Sequence, residues 1–141
     1  MKNYILYILI VLAIESCGPG EPMDNPQIDY AIKNISNHNV EIKVFDAHLD
    51  FVYIDTTFSF FPNSEIKYSS NGGIIYVFGG SEDSAFVTFN SLRRIIYRRD
   101  DGKSRNIIDI KSWNGGKVND YLYQYQYTIT DEDYANAIEI K

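Results

Sequence analysis

Residues Val40-Glu41-Ile42-Lys43-Val44 alternate apolar and charged side chains with a period of two. Successive strand residues point to opposite faces, so Val40, Ile42 and Val44 present a dry face and Glu41 and Lys43 a wet one. The same period runs upstream through Ile28, Tyr30 and Ile32, and Asn34-Ile-Ser-Asn-His-Asn39 supplies a turn between the two stretches. Downstream, Phe51–Asp55 and Thr57–Phe61 read as strands, closed by Pro62-Asn63, and Ser64–Ser69 alternates again before the tight-turn signal Asn71-Gly72-Gly73. Ile74-Ile-Tyr-Val-Phe78 is apolar on both faces and reads as a central strand, followed by a loop from Gly79 to Ser84.

Ala85–Asn90 and Arg94–Arg99 read as a hairpin around Ser91-Leu92, although that loop lacks an Asp-Gly pair. Asp100-Asp-Gly-Lys103 is a turn, Asn106–Ile110 a candidate strand, Asn114-Gly-Gly116 a chain break and Tyr121–Thr130 a long final strand. Thr130-Asp-Glu-Asp133 has the pattern of a capping box opening one helical turn, Asp131 to Ala137. The pattern predicts an all-β domain over 27–141. It is a β-sandwich, immunoglobulin-like or related, or a partly open barrel, with about eight short antiparallel strands.

The N-terminus carries a different signal. Lys2 precedes an apolar run, Tyr4 to Ile14, that ends at Glu15-Ser16-Cys17. At about 1.5 Å per residue this run reaches roughly half-way across a 30 Å hydrocarbon core, and it fits the apolar segment of a secretory signal. Ile14, Ser16 and Cys17 resemble a lipobox, from which Glu15 departs. The expectation is a lipoprotein signal peptide over 1–16, with Cys17 lipidated by a diacylglycerol and an N-acyl chain. A tether with Gly18, Pro19, Gly20, Pro22 and Pro26 follows over 17–26. An ordinary cleaved signal with an incidental free thiol is the alternative. Cys17 is the only cysteine, which rules out a disulfide framework within the chain and a multi-thiolate metal site. The implied location is the cell envelope of a Gram-negative bacterium, anchored in the outer membrane and facing either the periplasm or the exterior.

The chain has 141 residues and a net charge of −6, a poor balance for nucleic-acid binding. All five arginines, 93, 94, 98, 99 and 105, nevertheless fall in one short window. Alternation puts Arg94, Ile96 and Arg98 on one strand face and Arg93, Ile95, Tyr97 and Arg99 on the other. The guanidinium fork suits carboxylate and phosphate, so Arg93, Arg94, Arg98 and Arg99 are candidates for an anionic glycan or headgroup. A solvated edge strand, or pairing with internal acids, is the simpler reading of the same residues.

Tyr121, Tyr123, Tyr125 and Tyr127 share one face of the last strand, and Gln124, Gln126 and Thr128 the other. Tyrosine rows stack on sugar rings, but they also pack across strands at about 0.2–1 kcal/mol per pair. Asp46-Ala-His48-Leu-Asp50 is a weak cation motif better read as a solvated connection, and no metal or cofactor is expected. His38 has no partner identifiable from sequence. Thr56 and Ser84 follow aspartates in Asp55-Thr-Thr57 and Asp83-Ser-Ala85, which resemble a short bacterial O-glycosylation signal. No nucleophile elbow, P-loop, dinucleotide fingerprint or zinc-protease motif occurs.

Val87-Thr-Phe-Asn90, Arg94-Ile-Ile-Tyr97, Ser104-Arg-Asn-Ile107 and Tyr127-Thr-Ile-Thr-Asp-Glu-Asp-Tyr134 resemble segments of small Bacteroidetes-type lipoproteins. The resemblance implies a β-rich exported domain and carries no assigned activity or site residue. The functional expectation is a non-catalytic envelope lipoprotein that recognises a glycan, peptide or envelope protein. A structural or immunity-like protective lipoprotein, and then a carboxylate-dependent hydrolase, are the alternatives.

Overall fold

The computed structural model describes residues 25–48, 51–71, 77–79, 82–99 and 101–141. The expected signal peptide, Cys17 and most of the tether lie outside the described residues, as do Ile74–Tyr76 of the expected central strand.

Two sheets stack face to face, and no barrel closes. The four-stranded sheet has β1 (Gln27–Asn34), β4 (Ser64–Asn71), β7 (Asn114–Asn119) and β8 (Leu122–Ile129), in the order β4-β1-β8-β7. The five-stranded sheet has β2 (Val40–His48), β3 (Phe51–Phe60), β5 (Glu82–Phe89), β6 (Arg93–Arg98) and β9 (Ile138–Glu139), in the order β3-β2-β5-β6-β9. The all-β sandwich is therefore present, with one departure: β1 and β8 run parallel, Ile28 opposite Tyr123 and Tyr30 opposite Tyr125.

Period two places the core. Ile28, Tyr30 and Ile32 of β1 face Val40, Ile42 and Val44 of β2, and Ala85, Val87 and Phe89 of β5 complete the interior. Each fully buried aliphatic or aromatic side chain contributes about 1.5–3 kcal/mol. Aromatic rings bridge the two layers: Phe58 of β3 stacks with Tyr68 of β4 at 5.9 Å. Trp113 sets its edge against Tyr30 at 5.8 Å and donates from Nε1 to the Ile107 carbonyl at 2.9 Å.

Several local expectations are corrected. Phe51–Asp55 and Thr57–Phe61 form one strand, β3, because β2 pairs along its whole length and absorbs the irregularity as a register shift at Val44/Phe45. The described end of the expected central strand, Val77–Gly79, is a 3₁₀ turn in which Phe78 holds φ 59°. Such a backbone is unusual for a bulky residue; Phe78 keeps it while packed against Phe58 and Trp113.

Asn106–Ile110 is a turn, since the buried Asn106 side chain donates to the Arg98 carbonyl (2.8 Å) and accepts from the Ile108 amide (3.1 Å). Local side-chain bonds of this kind compete directly with a sheet ladder. Asn114-Gly-Gly116 opens β7 instead of breaking the chain. Gly115 lies at φ 134°, where a Cβ would collide with the Gln124 carbonyl, so glycine is what lets β7 approach β8.

Two details bear out the turn chemistry. The hairpin between β5 and β6 closes with Asn90 and Ser91 both left-handed, at φ 49° and 59°, the geometry an Asn-Gly pair normally supplies. Helix α1 (Asp131–Asn136) has its capping box: Asp133 Oδ2 accepts from the Thr130 amide at 2.8 Å, and Thr130 Oγ1 accepts from the Asp133 amide at 3.4 Å.

Candidate functional site

The arginines separate by face. Arg93, Ile95 and Tyr97 lie opposite Phe89, Val87 and Ala85 and so point inward. Arg93 spends itself on α1, donating from Nη1 to the Tyr134 carbonyl (3.2 Å) with its guanidinium 5.1 Å from that ring. Arg105, which follows the turn, donates from Nη2 to the Thr128 carbonyl (2.6 Å) and pairs with the buried Asp133 carboxylate (3.2 Å). These two hold the helix to the sandwich. Arg99 is exposed in the turn after β6.

Arg94 and Arg98 point the other way, onto the outer face of the five-stranded sheet. Arg94 lies 4.8 Å over the Phe86 ring and donates from Nε to Thr88 Oγ1 at 3.2 Å. Arg98 sits opposite Ser84 and is exposed. Between them Ile96 faces Phe86, and Phe86 packs against Phe45 of β2 at 4.5 Å. Lys43, opposite Phe86 on β2, pairs with Glu41 at 2.9 Å, so the cationic character of this face comes from Arg94 and Arg98. The face is thus a half-buried apolar strip, Phe45, Phe86 and Ile96, edged by Arg94 and Arg98, with the Lys43–Glu41 pair beside it. Sequence reasoning did not single out Phe45 or Phe86; the available signal is that each is an aromatic residue out of phase with its strand's buried positions, Val40, Ile42 and Val44 or Ala85, Val87 and Phe89.

The tyrosine face of β8 turns inward. Tyr125 stacks on Tyr30 at 6.2 Å and Tyr127 tilts against Trp113 at 5.6 Å. Burial pushes the Tyr125 and Tyr127 hydroxyls, and that of Tyr97, above the usual range, the response of a phenol losing water. Tyr123 is half-buried on the same side, and Tyr121 stands exposed in the turn before β8. Only Tyr121 of this series is therefore open to a ligand as a full ring. The outward positions of the strand belong to Gln124, Gln126 and Thr128.

The remaining candidates scatter. Thr56 lies half-buried in β3 opposite Val44, on the inward side, whereas Ser84 is outward on β5 beside Arg98. The backbone of Asp46 to His48 is part of β2, paired with β3 up to His48–Phe51, so these residues extend a strand where a solvated connection was expected. Asp50 lies outside the described residues. Among the described residues, no three His, Cys, Asp or Glu side chains converge as a metal set.

His38 does have partners. Its ring stacks on Tyr134 at 3.6 Å, its Nδ1 accepts from Asn90 Nδ2 at 3.0 Å, and its Nε2 faces Asp131 Oδ1 at 3.8 Å. This contact ties the β1–β2 turn to the hairpin turn and to α1, a long-range junction that no local sequence signal announces.

No protein-family model, curated protein or solved structure matches the chain, so the geometry of these faces carries the functional argument by itself.

Proposed function

We propose that this chain is a non-catalytic, lipid-anchored envelope protein whose β-sandwich recognises an anionic glycan. The observation that carries the reading is the outer face of the five-stranded sheet, where Arg94 and Arg98 flank Phe45, Phe86 and Ile96. In a chain of net charge −6, a cationic strip over an apolar floor is a local reversal of sign. Guanidinium forks accept carboxylates in bidentate fashion, and an apolar floor lowers the local dielectric that would otherwise weaken the attraction. The floor also suits the apolar face of a sugar ring.

The lipid anchor is part of the same proposal and rests on Cys17 following its apolar run. Nine residues separate Cys17 from Gln27, enough for a reach of about 30 Å if extended. Retention of a Cys17→Ala variant in the membrane pellet would refute the anchor.

Binding of oligogalacturonate, measured by calorimetry at low salt, tests the recognition reading. The Arg94→Ala/Arg98→Ala double variant is expected to bind roughly tenfold more weakly or worse, equivalent to about 1.4 kcal/mol. Arg94→Lys/Arg98→Lys should recover only part of the loss, because lysine keeps the charge without the fork. Equal binding by all three proteins would reject the proposal.

One observation favours a protein partner as a second reading. Phe61, Leu92 and Ile138 are 75%, 63% and 64% exposed, all at the end of the sandwich opposite Gln27. A photo-crosslinker at Phe61 in whole envelopes would give one discrete adduct if this end docks a protective target, and a smear or nothing if it does not.

A further inference from the structure

The opposite side of the sandwich carries a feature of different chemistry. The outer face of the four-stranded sheet is hollowed over Ala31, a small side chain set between Lys67 of β4 and Gln126 of β8 in the sheet register. The depression has a volume of about 540 Å³, and polar side chains of β1, β4 and β8 line it together with Ala31, Tyr30, Tyr68 and Tyr125.

At one end sits Asp29. Its Oδ1 accepts from Gln27 Nε2 (2.6 Å) and Ser69 Oγ (2.8 Å), while Oδ2 meets only a long contact from Gln124 Nε2 at 3.5 Å. The bonds from Gln27 and Ser69 hold the carboxyl below its ordinary range, so it is ionised and fixed in orientation with one oxygen facing the groove. Gln126 donates from Nε2 to Thr128 Oγ1 at 3.1 Å, leaving its carbonyl oxygen as an acceptor. Along the other wall Lys67 pairs with Glu65 at 3.3 Å, which cancels the cation.

We propose that this groove binds an uncharged polyhydroxylated ligand, a neutral sugar chain. A hydroxyl both donates and accepts, and here it would find an oriented carboxylate oxygen beside glutamine amides on adjacent strands. Anions are disfavoured: Asp29 repels them, and the nearby cation is already paired. Apolar ligands are disfavoured because their entry would strip water from carboxylate and amides without replacing it. The groove shares no residue with the arginine face and stands or falls independently of it.

The test uses the full chain in a detergent without a sugar headgroup, titrated with maltohexaose, xylohexaose and mannohexaose, and with tri-galacturonate as the charged control. Wild type should saturate with at least one neutral probe below about 10 mM, the weak end of specific binding. Ala31→Ile, which fills the floor with a strand-favouring side chain and adds no ring to stack on, should lose that binding at least tenfold. Gln124→Ala should weaken it several-fold, and Arg94→Ala/Arg98→Ala should leave it unchanged. Failure of every neutral probe to saturate, or wild-type binding by a folded Ala31→Ile variant, would overturn the proposal. A loss caused by the arginine substitutions would overturn it too, since it would move the sugar to the other face.

Discussion

The two outer faces of this sandwich are built from the same alternation and end in opposite chemistry. On the five-stranded sheet the outward positions include phenylalanine, isoleucine and arginine, and Arg94 lies over the Phe86 ring. On the four-stranded sheet Gln27, Ser69 and Gln124 are bonded to Asp29 around a hollow floored by Ala31 and flanked by the Lys67–Glu65 pair. A strand pattern requires only that one face be apolar enough to bury. The other face is free to vary, and the two proposed sites lie on positions of that kind.

The comparison can be broken most directly by reversing the charge of one side. Arg94→Glu/Arg98→Glu should abolish oligogalacturonate binding, a loss of about 100-fold, or roughly 2.7 kcal/mol, with neutral-sugar binding unchanged in the same calorimeter. Next in size, Asn106→Ala should cost about 1–2 kcal/mol in urea unfolding, because it removes the acceptor of the Ile108 amide and one of the two donors to the Arg98 carbonyl, which keeps the Asp101 amide at 3.3 Å. An unchanged unfolding midpoint would show that this turn is held by other means.

Ionic strength separates the faces more gently. Raising salt from 0.05 to 0.5 M should weaken the charged probe about tenfold and the neutral ones hardly at all. pH gives the complementary handle. The folded pKa of Asp29 is depressed below 3.8, so the stability of its network is fully present above that value and lost as pH falls through the lower folded one. Neutral-sugar binding should therefore stay flat from pH 7 to about 4, and then decline. A decline already complete at pH 5 would mean that a different group governs the groove. The smallest effect belongs to neither face: Ser91→Gly should stabilise the domain by about 1 kcal/mol, by relieving a left-handed serine in the hairpin turn. Binding at both faces should not change.

Much of the fold was legible because burial imposes a period. Val40, Ile42 and Val44, and the split of Arg93 from Arg94, follow from alternation alone. The capping box at Thr130 was legible because its partners are three residues apart. What escaped depended on distant groups. The parallel pairing of β1 with β8 brings together residues almost a hundred positions apart, and it decides that Tyr125 stacks in the core instead of on a ligand. Asn106 defeated a strand reading because its side chain bonds outcompete a ladder. His38 gained its partners only when three separate turns met. The Asp29 groove was half visible: Gln124 and Gln126 stood on one face of the last strand, but their neighbours on β1 and β4 could not be assigned without the register.

Recognition of an anionic glycan is proposed for the arginine face. Backbone amide shifts of the labelled protein, followed by NMR during titration with hexagalacturonate, test it most directly. Saturable shifts are expected at Lys43, Phe86, Arg94, Ile96 and Arg98, with Asp29, Gln124 and Gln126 silent. Shifts centred on the four-stranded sheet, or none at any residue of the five-stranded one, would contradict it.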